Sequence, residues 1–369
     1  MPQFSPVQDQ ALKAVADWLK AKPGATGTPQ VFRLFGYAGT GKTTLAKYLA
    51  EHVDGEVKFA AFTGKAASVM RGKGCRGAST IHGLIYRARE SGEEIPSFDL
   101  WDEAPASKAE LIIIDECSMV DAELGRDLLS FGVPVLVLGD PAQLPPISGG
   151  GFFTDAEPDV MLTEVHRQAQ DDPIVRLSMD IRAGDYLEPG RYGETEVVAK
   201  SDLDPQRVLE ADQVLVGRNA TRRAHNIRMR ERRGFEDKLP AAGDKLVCLR
   251  NNRRKGLFNG SLWSVKERGA RRTGIMTMRL LPDDDSGARG VKVSVRPECF
   301  CGGIEQIDWA RRKPYDEFDY GYVLTVHKAQ GSQWDDVVLF DESVVFGESR
   351  QRWLYTGVTR AAQRLTVVM

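Results

Sequence analysis

The chain has 369 residues, 42% hydrophobic and 28% charged, a length that suits two or three domains of roughly 150 residues each. That composition excludes collagen-like, low-complexity and wholly disordered chains. With 50 basic and 52 acidic side chains, a uniformly basic coat protein for nucleic acid is also excluded, although a local basic cleft is not.

In chain order, Ser5 followed by Pro6 and Gln8 predicts a capped helix start, with Val7, Ala11, Val15 and Leu19 on one face. Lys22–Pro29 reads as a loop. Val31–Phe35, Val57–Phe62, Leu111–Ile114 and Val133–Leu138 are short apolar runs separated by helix-length segments. They predict parallel strands buried on both faces of a doubly wound α/β domain. Arg87–Ala109 is a polar insertion in which Phe98 and Trp101 are isolated aromatics. Val214–Val216, Tyr322–Thr325, Val337–Phe340 and Leu365–Met369 repeat the apolar pattern and predict a second α/β domain. Seven arginines between Arg218 and Arg233 read as a solvated, partly salt-bridged helix, with nucleic-acid contact as the other use. Asp237–Pro314 alternates apolar and polar residues between Gly, Asn and Asp turns, which predicts a small all-β insertion. No apolar run is long enough for a transmembrane helix, and the start, MPQFSPVQDQ, does not read as a signal peptide. Five cysteines without a CxxC pair argue against a disulfide framework or structural zinc, and fit a reduced, cytoplasmic compartment.

Three strand ends carry chemistry. FGYAGTGKTT places Gly36, Gly41, Lys42 and Thr43 in the spacing G-x-x-x-x-G-K-[ST], after a strand and before a helix. Glycines such as Gly36, Gly39 and Gly41 let backbone N–H groups approach phosphate oxygens, and Thr40 and Thr44 complete the loop. Lys42 would neutralise the β- and γ-phosphates of a nucleotide, and Thr43 would ligate Mg²⁺. In LIIIDECSM, Asp115 would hold Mg²⁺ through water and Glu116 would orient or deprotonate the attacking water. In VLVLGDPAQLPPI, Asp140 and Gln143 are placed to sense the γ-phosphate.

These motifs, with STIHGLI at Ser79, FTGKAA at Phe62, LTEVHRQ at Leu162, VGRNATRRAHNIRMR at Val216, TVHKAQGSQWDDV at Thr325 and LYTGVTRA at Leu354, occur in an order that resembles superfamily 1 DNA helicases of the RecD-like and Dda-like 5′→3′ branch. The resemblance implies two RecA-like P-loop domains with parallel sheets, residues 1–170 and residues 171–236 with 315–369. It also implies a pin-bearing hairpin insertion at 87–109 and an SH3-like all-β insertion at 237–314. ATP and Mg²⁺ would lie in the cleft between the domains, with Arg167 and Arg360 as arginine fingers and Gly331 and Gln333 contacting the nucleotide. Gln333 stands where the family usually has Glu, which bears on nucleotide preference. Gln8 would read adenine by resemblance, or close a capping box with Ser5 by its local spacing.

The same resemblance places single-stranded DNA against Thr63, Lys65, Thr80 and His82 of the first domain and Thr325, His327 and Lys328 of the second, with Pro145 and Pro146 as wedges. Phe98 or Trp101 would be the pin aromatic, or would pack a small local core. The implied activity is ATP-driven 5′→3′ translocation by a monomer that unwinds duplexes at single-strand/double-strand junctions, in a bacterial or phage-infected cell. A single-strand-binding or replisome protein is the expected partner. The alternatives are a motor subunit of a larger nuclease or recombination complex, a nucleotide-gated switch that does not unwind, and an RNA substrate.

Overall fold

The computed structural model describes residues 4–24, 27–88, 98–145, 151–164, 171–252, 255–272, 274–283 and 290–369. The first sheet has the order β3-β2-β6-β7-β1-β8. Its strands are β1 (Val31–Gly36), β2 (Val57–Ala61), β3 (Ser79–Thr80), β6 (Leu111–Asp115), β7 (Val135–Gly139) and β8 (Val160–Leu162), and every pairing is parallel. Helices α1 (Pro6–Lys20), α2 (Lys42–Ala50), α3 (Gly64–Gly72), α4 (Ile81–Ile85) and α5 (Ala122–Leu129) belong to this domain. Alternate residues of the strands enter two cores. Leu34, Ile113, Leu136 and Leu138 pack with α1, α2 and α3, whereas Phe35, Ile112, Ile114 and Val137 pack with α4 and α5. This two-sided burial is why the strands read as unbroken apolar runs. The short hairpin β4 (Tyr86–Ala88) and β5 (Phe98–Leu100) occupies the expected first insertion.

The second sheet has the order β17-β11-β18-β19-β10-β9. It comprises β9 (Gly190–Tyr192), β10 (Thr195–Val198), β11 (Gln213–Val216), β17 (Val323–Thr325), β18 (Trp334–Phe340) and β19 (Ala361–Val368). All pairings are parallel except that of β9 with β10. Its helices include α6 (Pro173–Ala183), α7 (Pro205–Glu210), α8 (Asn219–Arg232), α9 (Val326–Ala329) and α10 (Arg350–Val358). β8, at one edge of the first sheet, and β10, next to one edge of the second, escape the reading from apolar runs because they are only three and four residues long.

The second insertion is a five-stranded antiparallel sheet, β15-β14-β13-β12-β16, made of β12 (Lys245–Cys248), β13 (Leu262–Arg272), β14 (Ile275–Pro282), β15 (Val291–Val295) and β16 (Phe318–Tyr320). Its last strand therefore lies beyond the expected boundary at Pro314. A parallel bridge between Val295 and Asp316 draws the two edges of the sheet together, and curling of this kind removes exposed edge strands. Val214, Val216 and Val338 of the second α/β sheet share one core with Val265, Met278 and Val293 of the insertion. The insertion is thus packed onto its host rather than tethered to it.

The arginine-rich segment is helical, but it is not simply a solvated face. Arg222 and Arg230 are buried, pairing with Asp319 and Asp244. Arg230 donates from Nε and an η nitrogen to the two oxygens of Asp244, each at 2.9 Å, and to the carbonyls of Asp237 and Leu239. Tyr322 Oη and the Ala241 N–H also donate to Asp244, both at 2.8 Å. On α7, Arg207 is similarly buried against Asp336. Replacing Asp244 by Ala leaves the Arg230 charge buried without its counter-ion and should destabilise the protein by about 3–5 kcal/mol. Urea unfolding of wild type and D244A measures this, and a loss within the scatter of a surface substitution would contradict the reading.

Candidate functional site

The parallel sheets bring the chemistry-bearing segments to their carboxyl-terminal edges, where α/β proteins place their ligand sites. The loop after β1 turns into α2 through Gly39 and Gly41, at φ 78° and 80°. Both values lie in the left-handed region, which strongly favours glycine. At Gly36 the constraint is space, since a Cβ there would lie 2.6 Å from Thr40 Oγ1 and 2.8 Å from Leu162 Cβ. Lys42 Nζ donates back to the carbonyls of Gly36 and Tyr37 at 2.6 and 2.9 Å, which holds the ammonium against the loop it closes.

At the end of β6, Thr43 Oγ1 donates to Asp115 Oδ2 at 3.0 Å, and the Glu116 N–H donates to Asp115 Oδ1 at 2.9 Å. Two hard oxygen donors at the mouth of a phosphate loop fit a Mg²⁺ ion. Glu116 adopts φ 54°, ψ 47°. Lys22 and Glu116 are the only non-glycine residues at positive φ among those described, and such strain is often concentrated at functional sites. Burial pushes the Glu116 carboxyl above its ordinary value. Arg360 opposes that shift, while Asp115 adds to it.

The cleft between the domains encloses about 430 Å³. It is lined by Gly39, Thr40, Gly41, Lys42, Thr43 and Thr44 of the loop, by Asp115, Glu116 and Gln143, and from the second domain by Gly331, Ser332, Gln333, Thr359 and Arg360. The buried Arg360 is positioned by donation to Thr356 O, Ser332 O and Thr359 Oγ1 at 3.0–3.2 Å. A guanidinium has five N–H donors, so these bonds leave it capacity for a ligand. Gln143 is 8% exposed, and among the described residues its Oε1 has no hydrogen-bond partner. Arg167 and Pro146 lie outside the described residues.

Gln8 makes the capping box. Its backbone N–H donates to Ser5 Oγ, and its Oε1 accepts from the Ser5 N–H at 3.0 Å. Its Nε2 donates to Thr40 O at 3.1 Å. The side chain therefore ties the start of α1 to the phosphate loop, a long-range partner that local spacing does not reveal.

The residues expected to contact DNA occupy a second band of the same edge. Thr63, Thr80 and Thr325 each cap a helix, accepting from the N–H of Ala66, Gly83 and Lys328 respectively. A hydroxyl that accepts in a cap can still donate its proton outward. The two domains meet at this band. A Cβ at Gly331 would lie 2.9 Å from Ala66 and 3.3 Å from Thr63 Oγ1, and one at Gly64 would strike the Phe258 ring of the insertion. Lys65 and Pro145 are half-buried. His82 lies between the rings of Phe62 and Tyr86, with centroids 6.2 and 5.6 Å away, and His327 lies 5.4 Å from Phe346. Burial lowers the pKa of His327, and also that of Lys328, which faces Arg222 and Asp319.

The two pin candidates separate along the hairpin. Trp101 sits at its root, where its N–H donates to Ile85 O and Arg87 lies 5.9 Å over its ring. Phe98 pairs with Ala88 at the distal end of the described strands.

Tyr355 and Thr356, in the same LYTGVTRA segment as Arg360, carry no signal in motif spacing. Both reach into the first domain: Tyr355 Oη contacts Asp140 and the Ala38 N–H, and Thr356 Oγ1 accepts from the Leu144 N–H.

Family comparison agrees with this geometry. The family described as an AAA domain matches residues 20–202, and the UvrD-like helicase C-terminal domain matches residues 320–368. The ATP-dependent RecD2 DNA helicase of Deinococcus radiodurans is 30% identical over 365 residues, covering 90% of this chain and 46% of that protein. The ATP-dependent DNA helicase dda of Enterobacteria phage T4 is 32% identical over 164 residues, covering 40% of this chain and 37% of that protein. This chain thus spans less than half the length of both relatives.

Among solved structures, Bacteroides Pif1 bound to ssDNA has a TM-score of 0.61 at 19% identity, covering 100% of this chain and 92% of that one. The Pif1 helicase from Candida albicans has a TM-score of 0.57 at 18% identity, covering 100% and 94%. These likenesses show a shared fold. Two RecA-like sheets, the motif order and the sequence relatives together place the chain in superfamily 1, among the RecD/Pif1-like helicases.

Proposed function

We propose that the protein is an ATP-dependent DNA helicase that moves 5′→3′ on single-stranded DNA and unwinds duplexes at junctions. The observation that carries this reading is the cleft itself, in which a phosphate loop, an Asp-Glu pair and Gln143 from one domain face Arg360 from the other. Nucleotide hydrolysis there depends on both domains being in place. The 5′→3′ direction rests on the resemblance to RecD2 and Dda.

In the proposed cycle the loop N–H groups and Lys42 hold the β- and γ-phosphates. Thr43 and Asp115 would hold Mg²⁺, which neutralises charge on the phosphate oxygens when bound. Glu116 accepts a proton from the attacking water, and Gln143 orients that water through its free Oε1. Arg360 stabilises charge on the transferred phosphoryl group, with Arg167 as a second finger. Gln333, in the cleft lining, contacts the nucleotide sugar. Closure and reopening then shift Thr325, His327 and Lys328 relative to Thr63, Lys65, Thr80 and His82, so that one group holds the strand while the other advances. Hydroxyls and a single lysine suit phosphate oxygens and hold DNA without reading its sequence. Phe98 or Trp101 would serve as the pin, since stacking on an aromatic returns about 1–3 kcal/mol per base.

We assign residues 1–170 and 171–236 with 321–369 to the two motor domains, the second resuming after β16 rather than at 315. The pin hairpin spans 87–109, and the β insertion starting at 237 ends with β16. Strand displacement on duplexes bearing a 5′ or a 3′ single-stranded tail tests the reading. Unwinding with ATP from the 5′ tail is expected. DNA-stimulated hydrolysis without displacement from either tail would favour a motor subunit that needs a partner.

A further inference from the structure

One hydroxyl spans the interdomain cleft and touches two parts of the nucleotide site. Tyr355, on α10, is 1% exposed. Its Oη accepts from the Ala38 N–H of the phosphate loop at 3.2 Å and donates to Asp140 Oδ2 at 2.6 Å. A tyrosine hydroxyl has one proton to donate, and here it goes to a carboxylate of the other domain.

Asp140 in turn builds the loop that carries Gln143. Its Oδ1 accepts from the Ala142 N–H at 3.0 Å, and its carbonyl accepts from the Gln143 N–H at 3.1 Å. The next residue, Leu144, is held from the second domain by Thr356 Oγ1 and Gln330 Nε2. Tyr355 and Arg360 lie five residues apart on one continuous segment.

We propose that Tyr355 is a positioning residue that makes hydrolysis conditional on domain closure. Its hydroxyl fixes the Asp140–Gln143 turn and the Ala38 end of the phosphate loop in the same movement that delivers Arg360. When the second domain swings away, that hydroxyl leaves both partners together. Gln143 then loses its placement at the moment Arg360 withdraws, and the cleft cannot hydrolyse nucleotide while open. This inference rests on the proposed motor activity.

The test is Tyr355→Phe, which keeps the buried ring and deletes only the hydroxyl. The hydrogen bond lost is one to a charged group, so kcat for ATP hydrolysis at saturating single-stranded DNA should fall about tenfold to a hundredfold. KM for ATP and Kd for DNA should stay within about twofold, since the hydroxyl acts on arrangement rather than on binding. A double-mutant cycle with Asp140→Asn separates positioning from general weakening. The effect of Y355F should largely vanish in the D140N background.

Thermal melts of all variants accompany the kinetics. Should Y355F fail to fold, D140N alone reads the same link, with a fall in kcat at constant KM expected. A folded Y355F with kcat unchanged overturns the proposal, as does a fall that multiplies fully with that of D140N or a D140N variant with wild-type kcat. Wild-type protein without any DNA-stimulated hydrolysis would instead overturn the motor reading itself.

Discussion

Replacing Glu116 by Gln should lower DNA-stimulated ATP hydrolysis by about 10²–10⁴-fold, the usual contribution of a positioned general base, while nucleotide still binds. Gln keeps the size and hydrogen-bonding reach of the side chain but cannot take a proton from water. The raised pKa of Glu116 adds two signatures. As pH falls through that raised value the carboxylate is protonated, so kcat should be lost at higher pH than an ordinary carboxylate, near 4.5, would give.

Stability runs the other way. A carboxyl whose folded pKa lies above its unfolded value favours folding in its protonated form, and that contribution is lost as pH rises through the folded pKa. Above its raised folded value the wild type carries a buried charge beside Asp115 that E116Q lacks. E116Q should melt at a higher temperature than wild type at pH 8, with the gain shrinking as pH falls through the raised folded value and gone below the ordinary value near 4.5. An inactive variant that is also less stable at pH 8 would contradict this description of the site.

Arg360→Ala is expected to have the larger effect on rate, about 10³–10⁵-fold in DNA-stimulated turnover, the range for arginine fingers. The three hydrogen bonds to Thr356, Ser332 and Thr359 aim the guanidinium from the second domain into a cleft whose proposed base, Glu116, belongs to the first. The loss should appear in single-turnover chemistry with KM for ATP little changed, because the charge it stabilises develops in the transition state. Arg360→Lys should recover little, since a lysine cannot keep a forked set of donors on three partners and still reach the phosphate. A turnover within about threefold of wild type would exclude Arg360 from the chemistry.

Much of the motor was legible in the sequence because its parts are local. A strand buried on both faces is an apolar run, and Leu111–Asp115 shows this together with the Asp-Glu pair at its end. The phosphate loop is legible because glycine spacing and the following helix are contiguous in the chain. What escaped depends on partners far away in sequence. Arg230 looks like one more charge on a basic helix until Asp244, Tyr320 and Tyr322 surround it. β16 is only Phe-Asp-Tyr in the chain, and becomes a strand because β12 offers it an edge. Residues Ala361–Arg364 extend β19 ahead of its apolar core because β18 pairs along them. Gln8 shows both cases at once: its cap with Ser5 is local and was readable, whereas its bond to Thr40 was not. Tyr355 stood in a motif already recognised, yet a hydroxyl directed into another domain has no signature in spacing.

The two domains form one nucleotide site, and its turnover is expected to answer to DNA. Steady-state ATP hydrolysis of the wild-type protein, with and without single-stranded DNA at saturating ATP, tests it most directly. Strong stimulation by DNA is expected, with stimulated turnover lost in R360A. A rate indifferent to DNA would contradict it.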